Sequence, residues 1–295
     1  MSSETLARLS LYGYFVAGAI LAVGLILGWA GLVGSETAPT HAKHARHAES
    51  YVSAWSATGV AYALGCLGLL ALTVSIAARG LAAGRPPYAN QYEFAIAFAW
   101  GALAIFLLLR RNANALLPPV LTLVLGVLLY AGTLPSEITP PVPALQNRLI
   151  LGLHVGCAVI AYGANGVAFV AACLFLAQLA IRRRTGHTSR RLPDLGTLDD
   201  LGYRAVMLSF PMLGTVLLLG SWWSWVAWGA YWSWDPKQSA TLATWLLYGA
   251  YLHSRAVRER QGLISAVLLI AGFGATLLTY LGNLFFGGLH SYSGL

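Results

Sequence analysis

Long apolar stretches alternate with short polar breaks along the whole chain. The apolar runs cover residues 11–33, 55–78, 92–109, 115–134, 149–181, 206–228, 236–252 and 263–286. Most approach the ~20 residues that a bilayer-spanning helix needs, and none shows the two-residue alternation of a half-buried strand. The pattern predicts an all-α polytopic membrane protein with about eight transmembrane helices. The fifth run is long enough to tilt or to extend past the bilayer. Composition narrows the class further. Hydrophobic residues make up 58% of the 295 and charged residues only 9%, too little polar surface to cover a water-soluble domain. The first apolar run lacks a basic leader and a small-residue cleavage site, so no cleavable signal is expected.

Charge sets the expected orientation. The breaks at 34–54, 110–114, 182–205 and 253–262 together hold 13 of the 18 Lys and Arg residues. By the positive-inside rule they face the cytoplasm, which puts both termini on the outer, extracytoplasmic side. The net charge of +8 follows from this bias, so no nucleic-acid partner is read from it. The arginine clusters 182–184 and 190–191 suit anionic lipid instead. Cys66, Cys157 and Cys173 lie inside apolar runs without a Cys-x-x-Cys pair, which predicts packing rather than thiol–disulfide chemistry.

Against this background one segment is out of proportion. Residues 220–234, GSWWSWVAWGAYWSW, carry six of the ten tryptophans: Trp222, Trp223, Trp225, Trp228, Trp232 and Trp234, with Tyr231 among them. An aromatic belt uses one or two such residues per helix end, so this density suggests a platform for a large flat ligand at the outer face. The segment runs into Asp235-Pro236-Lys237-Gln238. Asp at N-cap, Pro at N1 and Gln at N3 form a helix start of the capping-box type, which is reason enough for Asp235 and Pro236, while a ligand role for Asp235 stays open. Lys237 suits an anionic ligand group or a lipid phosphate.

Histidines form a second filter, because imidazole in hydrocarbon needs a partner and is a common metal ligand. His154 stands five residues into the fifth run, about 7–8 Å deep at 1.5 Å per residue. His290 follows the eighth run. Both fall at the level of the tryptophans, on different helices, as two axial ligands of a metal macrocycle would. His253 closes the seventh run at the opposite face, where a favourable contact with the helix dipole is a sufficient reading. His41, His44, His47 and His187 fall in the expected cytoplasmic breaks without the Cys or carboxylate neighbours of a metal site. Asn90-Gln91-Tyr92-Glu93 opens the third run at the outer face. Glu93 there either favours the helix dipole or borders the tryptophan compartment.

Taken together, Trp228-Gly229-Ala230-Tyr231-Trp232-Ser233-Trp234-Asp235-Pro236-Lys237 resembles the WWD signature of haem-handling proteins in cytochrome c biogenesis. With His154, His253, His290 and Asn90 to Glu93 the chain is similar specifically to the CcsA/ResC family of System II, over residues 86–295. Its Leu-His-Ser-Tyr ending separates it from the System I haem proteins. The resemblance implies a haem-handling core at 86–295, with the WWD segment at 220–238, and leaves the role of helices 1–2, residues 1–80, open. It implies His154 and His290 as the outer axial ligands of haem b, with Trp222, Trp223, Trp225, Trp228, Tyr231, Trp232, Trp234, Asp235, Asn90, Tyr92 and Glu93 around it. His253 becomes a transmembrane haem ligand whose second histidine belongs to a ResB/CcsB-like membrane subunit. Gln238 departs from the Glu often found there.

The function so implied is haem transfer to the outer face of a cell membrane and haem attachment to apocytochrome c, the chain being a subunit of a thioether-forming lyase. A b-haem electron carrier, a System I-like haem delivery protein and a small-molecule transporter are the rivals. The transporter expects matched broken helices in two halves, a pattern this sequence lacks.

Overall fold

A computed structural model of the chain describes residues 1–34, 56–110, 114–140, 145, 147–258 and 262–290. Its described residues form eight α-helices: α1 Ser3–Gly34, α2 Ala57–Ala83, α3 Gln91–Leu109, α4 Leu117–Gly132, α5 Arg148–Thr185, α6 Leu195–Trp228, α7 Pro236–Arg258 and α8 Leu263–Leu281. The expected eight helices are present, and no strand occurs among the described residues. The eighth ends at Leu281 rather than 286, because a single 3₁₀ turn, Gly282–Leu284, takes over. His41, His44 and His47 lie outside the described residues.

Six helices are long and apolar enough to cross a membrane: α1, α2, α3, α5, α6 and α8. The protein is a multi-pass helical membrane protein. α4 has only 16 residues, and α7 carries Ser, Thr and charged residues along its length. Both survive inside the bundle because their polar groups are satisfied internally. Thr241 and Thr244, for example, bond back to the carbonyls of Lys237 and Ala240.

Helix limits follow local chemistry. Ser56, Asn90, Asn147 and Asp194 each turn a side-chain oxygen onto the N–H three residues on. Gly84, Gly186 and Gly229 end α2, α5 and α6 in the left-handed region. Helix crossings use small residues, as expected where lipid offers no hydrophobic drive between helices. A Cβ on Gly101 of α3 would lie 2.8 Å from the Val159 carbonyl of α5, so the two backbones touch there.

Two ends of the bundle differ. At one end, the starts of α3, α5 and α7 meet the last turns of α6 and the residues after α8, and they enclose a cavity. At the other, polar clamps tie the loops down. Gln178 donates to the carbonyls of Ser189, Leu192 and Pro193, Arg204 donates to the Leu109 carbonyl at 2.7 Å, and Arg255 pairs with Asp199 while lying 4.5 Å over the Tyr203 ring.

Candidate functional site

The cavity at the first end holds about 1110 Å³ of atom-free space, counting the part that opens outward. His154 from α5 and His290 from the segment after α8 both line it, with Trp223, Trp232, Lys237 and Tyr88. The two histidines share one neighbour. The Trp223 ring centroid lies 6.3 Å from that of His154, nearly parallel, and 5.5 Å from that of His290. Trp228 sits 4.9 Å from His290, edge to face.

Each imidazole is held by its Nδ1. His154 Nδ1 lies 3.0 Å from the Val216 carbonyl oxygen on α6, which accepts its proton and leaves Nε2 as the ring nitrogen for a ligand. Gly220 makes this approach possible, since a Cβ there would come within 2.8 Å of His154 Cε1. His290 Nδ1 lies 2.7 Å from Asp235 Oδ1. Asp235 is buried and does two things at once. Its Oδ1 also accepts from the Lys237 N–H, capping α7, and its Oδ2 accepts from the Leu289 N–H at 2.7 Å. Gly288 packs so closely on this carboxylate that any side chain would collide with it.

Burial and the nearby Lys237 charge push the His290 imidazole below its ordinary pKa, against the pull of Asp235. A neutral ring is the form that binds a metal. Burial pushes the Asp235 carboxyl up, but the His290 charge and the N–H groups of Lys237 and Leu289 outweigh it, and the group sits below the usual carboxylate range.

The loop between α6 and α7 is closed by side chains. Ser224 Oγ donates to the Ala230 carbonyl at 2.6 Å, and Gln238 Oε1 accepts from the Ser233 N–H at 3.0 Å. Gln238 thus reaches two residues beyond the capping-box position that its place in the helix start suggests. Just before Asp235, Trp234 has a φ of 58°, rare for a bulky residue. This strained turn aims Asp235 inward and Trp234 outward, 71% exposed.

The tryptophans therefore divide. Trp223 and Trp232 line the cavity and Trp228 backs His290, whereas Trp222, Trp225 and Trp234 are exposed, as is Tyr231, which stacks on Trp225 at 4.9 Å. The 90–93 cluster divides as well. Asn90 caps α3 and lines the cavity, as does Gln91. Tyr92 is buried against Tyr14 and under Arg79. Glu93, 2% exposed, gives both oxygens to Arg79, Arg85 and the Ala89 N–H. Its carboxylate has nothing left for a ligand.

His253 lies at the opposite end of α7, exposed, and is not part of the cavity. Lys237 stands on the cavity side of the α7 start. It lines the cavity, and its ammonium makes no hydrogen bond or ion pair among the described residues. The sequence left it between an anionic ligand group and a lipid phosphate. Gly220 and Val216 escaped notice, because nothing in their local sequence signals contact with α5.

No three His, Cys, Asp or Glu side chains converge to hold a bare metal ion among the described residues. Two imidazoles, flat aromatic walls and one lysine ammonium on a single cavity suit a planar metal macrocycle bearing carboxylates better than a tetrahedral ion.

The family profile described as Cytochrome C assembly protein matches residues 88–290. The cytochrome c biogenesis protein CcsA of Synechococcus elongatus is 33% identical, covering 80% of this chain and 91% of its own length. The chain belongs to the CcsA family of cytochrome c assembly proteins. CcsA of Microcystis aeruginosa is 33% identical, over 80% of this chain and 86% of its own length, and CcsA of Pyropia yezoensis 31%, over 77% and 84%. A solved structure of the cytochrome c haem lyase CcmF superposes with a TM-score of 0.67 at 19% identity, covering 95% of this chain and 47% of CcmF. That likeness is one of fold. Membership in the CcsA family places the chain in cytochrome c biogenesis.

Proposed function

We propose that the cavity receives haem at the outer face of the membrane, holds it between His154 and His290, and presents it to apocytochrome c for covalent attachment. The observation that carries this reading is the pair of imidazoles, one from α5 and one from the segment after α8, that line one cavity and are each oriented through Nδ1. A carboxylate behind a ligating histidine fixes its tautomer and raises its basicity, and Asp235 takes that part behind His290. Trp223 and Trp232 flank the flat face of the macrocycle, and Lys237 pairs with a haem carboxylate. Attachment adds each thiol of the Cys-x-x-Cys-His segment across a vinyl group. The S–H bond and the vinyl π bond break as C–S and C–H bonds form, with no protein nucleophile. The chain contributes positioning, which supplies several kcal/mol in well-oriented reactions.

In this reading residues 86–295 are the haem-handling core, and the α1–α2 pair buttresses it. Arg79 of α2 pairs with Glu93, and the Tyr14 hydroxyl of α1 donates to the Leu128 carbonyl. His253, exposed at the other end of α7, binds haem on the cytoplasmic side together with a histidine from a ResB/CcsB-like membrane subunit. Its exposure leaves it reachable by such a partner.

Co-expression with that partner, purification and a haem spectrum test the reading. Wild type carries haem with a bis-imidazole spectrum, and His154→Ala and His290→Ala lose it along with cytochrome c maturation. Unchanged haem content and maturation in both variants would overturn the assignment. His253→Ala is expected to keep the fold but load the outer site poorly.

A further inference from the structure

The two imidazoles belong to two different pairs of helices. His154 stands on α5 and bonds to α6, whereas His290 follows α8 and bonds to Asp235 at the start of α7. The distance between them is therefore set where these two pairs meet. At the outer end the seam is bridged by Gln238 Nε2, 3.3 Å from Ser224 Oγ, and at the other end by the Arg255–Asp199 pair. Its middle is polar as well, although it lies inside the bundle at membrane depth.

Two tiers cross that middle, each with one side chain from α5, α7 and α8. In the upper tier Thr279 of α8 lies 3.2 Å from Thr244 of α7, and the Tyr162 hydroxyl of α5 adjoins Thr279. Tyr162 also lines the cavity, so the tier borders it. One turn further in, Asn165 Nδ2 donates to Thr276 Oγ1 at 3.0 Å, and Tyr248 stands beside the same threonine. Asn165, Thr276 and Tyr248 have no exposed surface. Gly272 makes room for the Tyr248 ring, which a Cβ there would meet at 2.8 Å. This lower tier is not closed: Asn165 Oδ1 and the Tyr248 hydroxyl make no hydrogen bond among the described residues.

A tier of this kind costs stability in a membrane, where Leu in place of Asn165 would leave no amide oxygen unpaired. What it adds is direction. Apolar contacts between helices tolerate a small slide, because lipid tails are as apolar as the side chains, whereas an amide-to-hydroxyl bond is made in one register. We propose that the Asn165–Thr276 bond is a positioning contact for the cavity: it fixes the register of α8 against α5 and thereby the separation of His154 and His290. The inference rests on the reading that both imidazoles bind haem. Asn165 lies about 16–17 Å along α5 from His154, so it acts through the helix and not by touching the ligand. Thr279 and Thr244 carry the register on to α7, whose Asp235 holds His290. A pair of ligands has to be held within about 0.5 Å, so a slip of this seam by more than that loosens one of them.

The test uses the full chain, co-expressed with its membrane partner, purified and titrated with haem b. Thr276→Val removes the hydroxyl and keeps the shape. It is expected to weaken haem binding about tenfold and to add a five-coordinate, high-spin fraction to the low-spin bis-imidazole spectrum. Thr276→Ser keeps the hydroxyl and is expected to restore the wild-type spectrum. Asn165→Leu combined with Thr276→Val makes both partners apolar, so the melting temperature is expected to return close to that of wild type while the high-spin fraction stays. Ser75→Ala removes another buried hydroxyl bond, to the Ser10 carbonyl between α2 and α1, and is expected to leave the spectrum unchanged. Wild-type affinity and a fully low-spin spectrum in the double variant overturn the proposal. So does the same spectral change in Ser75→Ala, which marks a general softening of the bundle. Failure of the haem reading shows separately, as undiminished haem binding in His154→Ala and His290→Ala.

Discussion

Two buried carboxylates stand at the same end of the bundle, each in the first turn of a helix or just before it, and they have opposite uses. Glu93 is closed. Two guanidinium groups and a backbone N–H take up both its oxygens, and the same arginines reach on to the carbonyls of Ser136, Glu137 and Thr139, so that the carboxylate anchors the segment after α4. Asp235 is open. It caps α7 and holds the 289–290 segment, and its side-chain partner is the His290 imidazole, which lines the cavity. The difference teaches that burial and charge do not mark a binding group. What matters is whether the partners of the carboxylate face the cavity, as His290 does, or only tie the chain together, as Arg79 and Arg85 do.

The sharpest way to break the comparison is to remove Glu93. Glu93→Ala leaves Arg79 and Arg85 buried without a counter-charge, a loss of about 3–5 kcal/mol. The expected outcome is poor membrane accumulation and early thermal unfolding, with haem lost only because the fold is lost. Replacing Arg79 and Arg85 by Leu in the same chain should recover part of the stability. A stable Glu93→Ala protein that has lost haem would reverse the roles assigned to the two carboxylates.

Asp235→Asn comes next. The amide oxygen still accepts from the Lys237 N–H, so the helix start is kept, while the charge behind His290 and the acceptor for the Leu289 N–H are gone. Haem affinity should fall about 10–100-fold, read by haem titration of the purified protein, while the lost bond to Leu289 lowers the stability by about 1–3 kcal/mol. Gly220→Val tests the other ligand in the same way: the added side chain displaces His154 from Val216, and a haem spectrum with one altered axial ligand is the expected signature. The tryptophans give the finest contrast. Trp223→Ala should weaken haem binding clearly, since aromatic contacts add about 0.5–1.5 kcal/mol beyond area. Trp234→Gly removes an exposed ring and relaxes a positive φ, so a change within about 0.5 kcal/mol in stability and an unchanged haem titration are expected.

Much of the architecture was legible where the signal is local. Eight helices followed from the length of the apolar runs, and the WWD string with His154 and His290 pointed to one cavity end. The cluster at 90–93 was less legible, because a carboxylate in a first helical turn looks the same whether it meets a ligand or two arginines from another element.

The sequence by itself determined that this is a helical membrane protein of the CcsA kind, since apolar run length and a dense aromatic motif do not depend on which helices touch. Only the tertiary structure decided which of these residues meet. It turned Trp223 and Trp232 inward and Trp222, Trp225 and Trp234 outward, spent Glu93 on arginines, set Asp235 behind His290 and placed Lys237 on the cavity. The reason is geometric. A side chain's partners across a bundle come from distant parts of the chain, and a hydrogen bond or ion pair is made or missed within about an ångström, a distance that helix packing sets and local sequence does not.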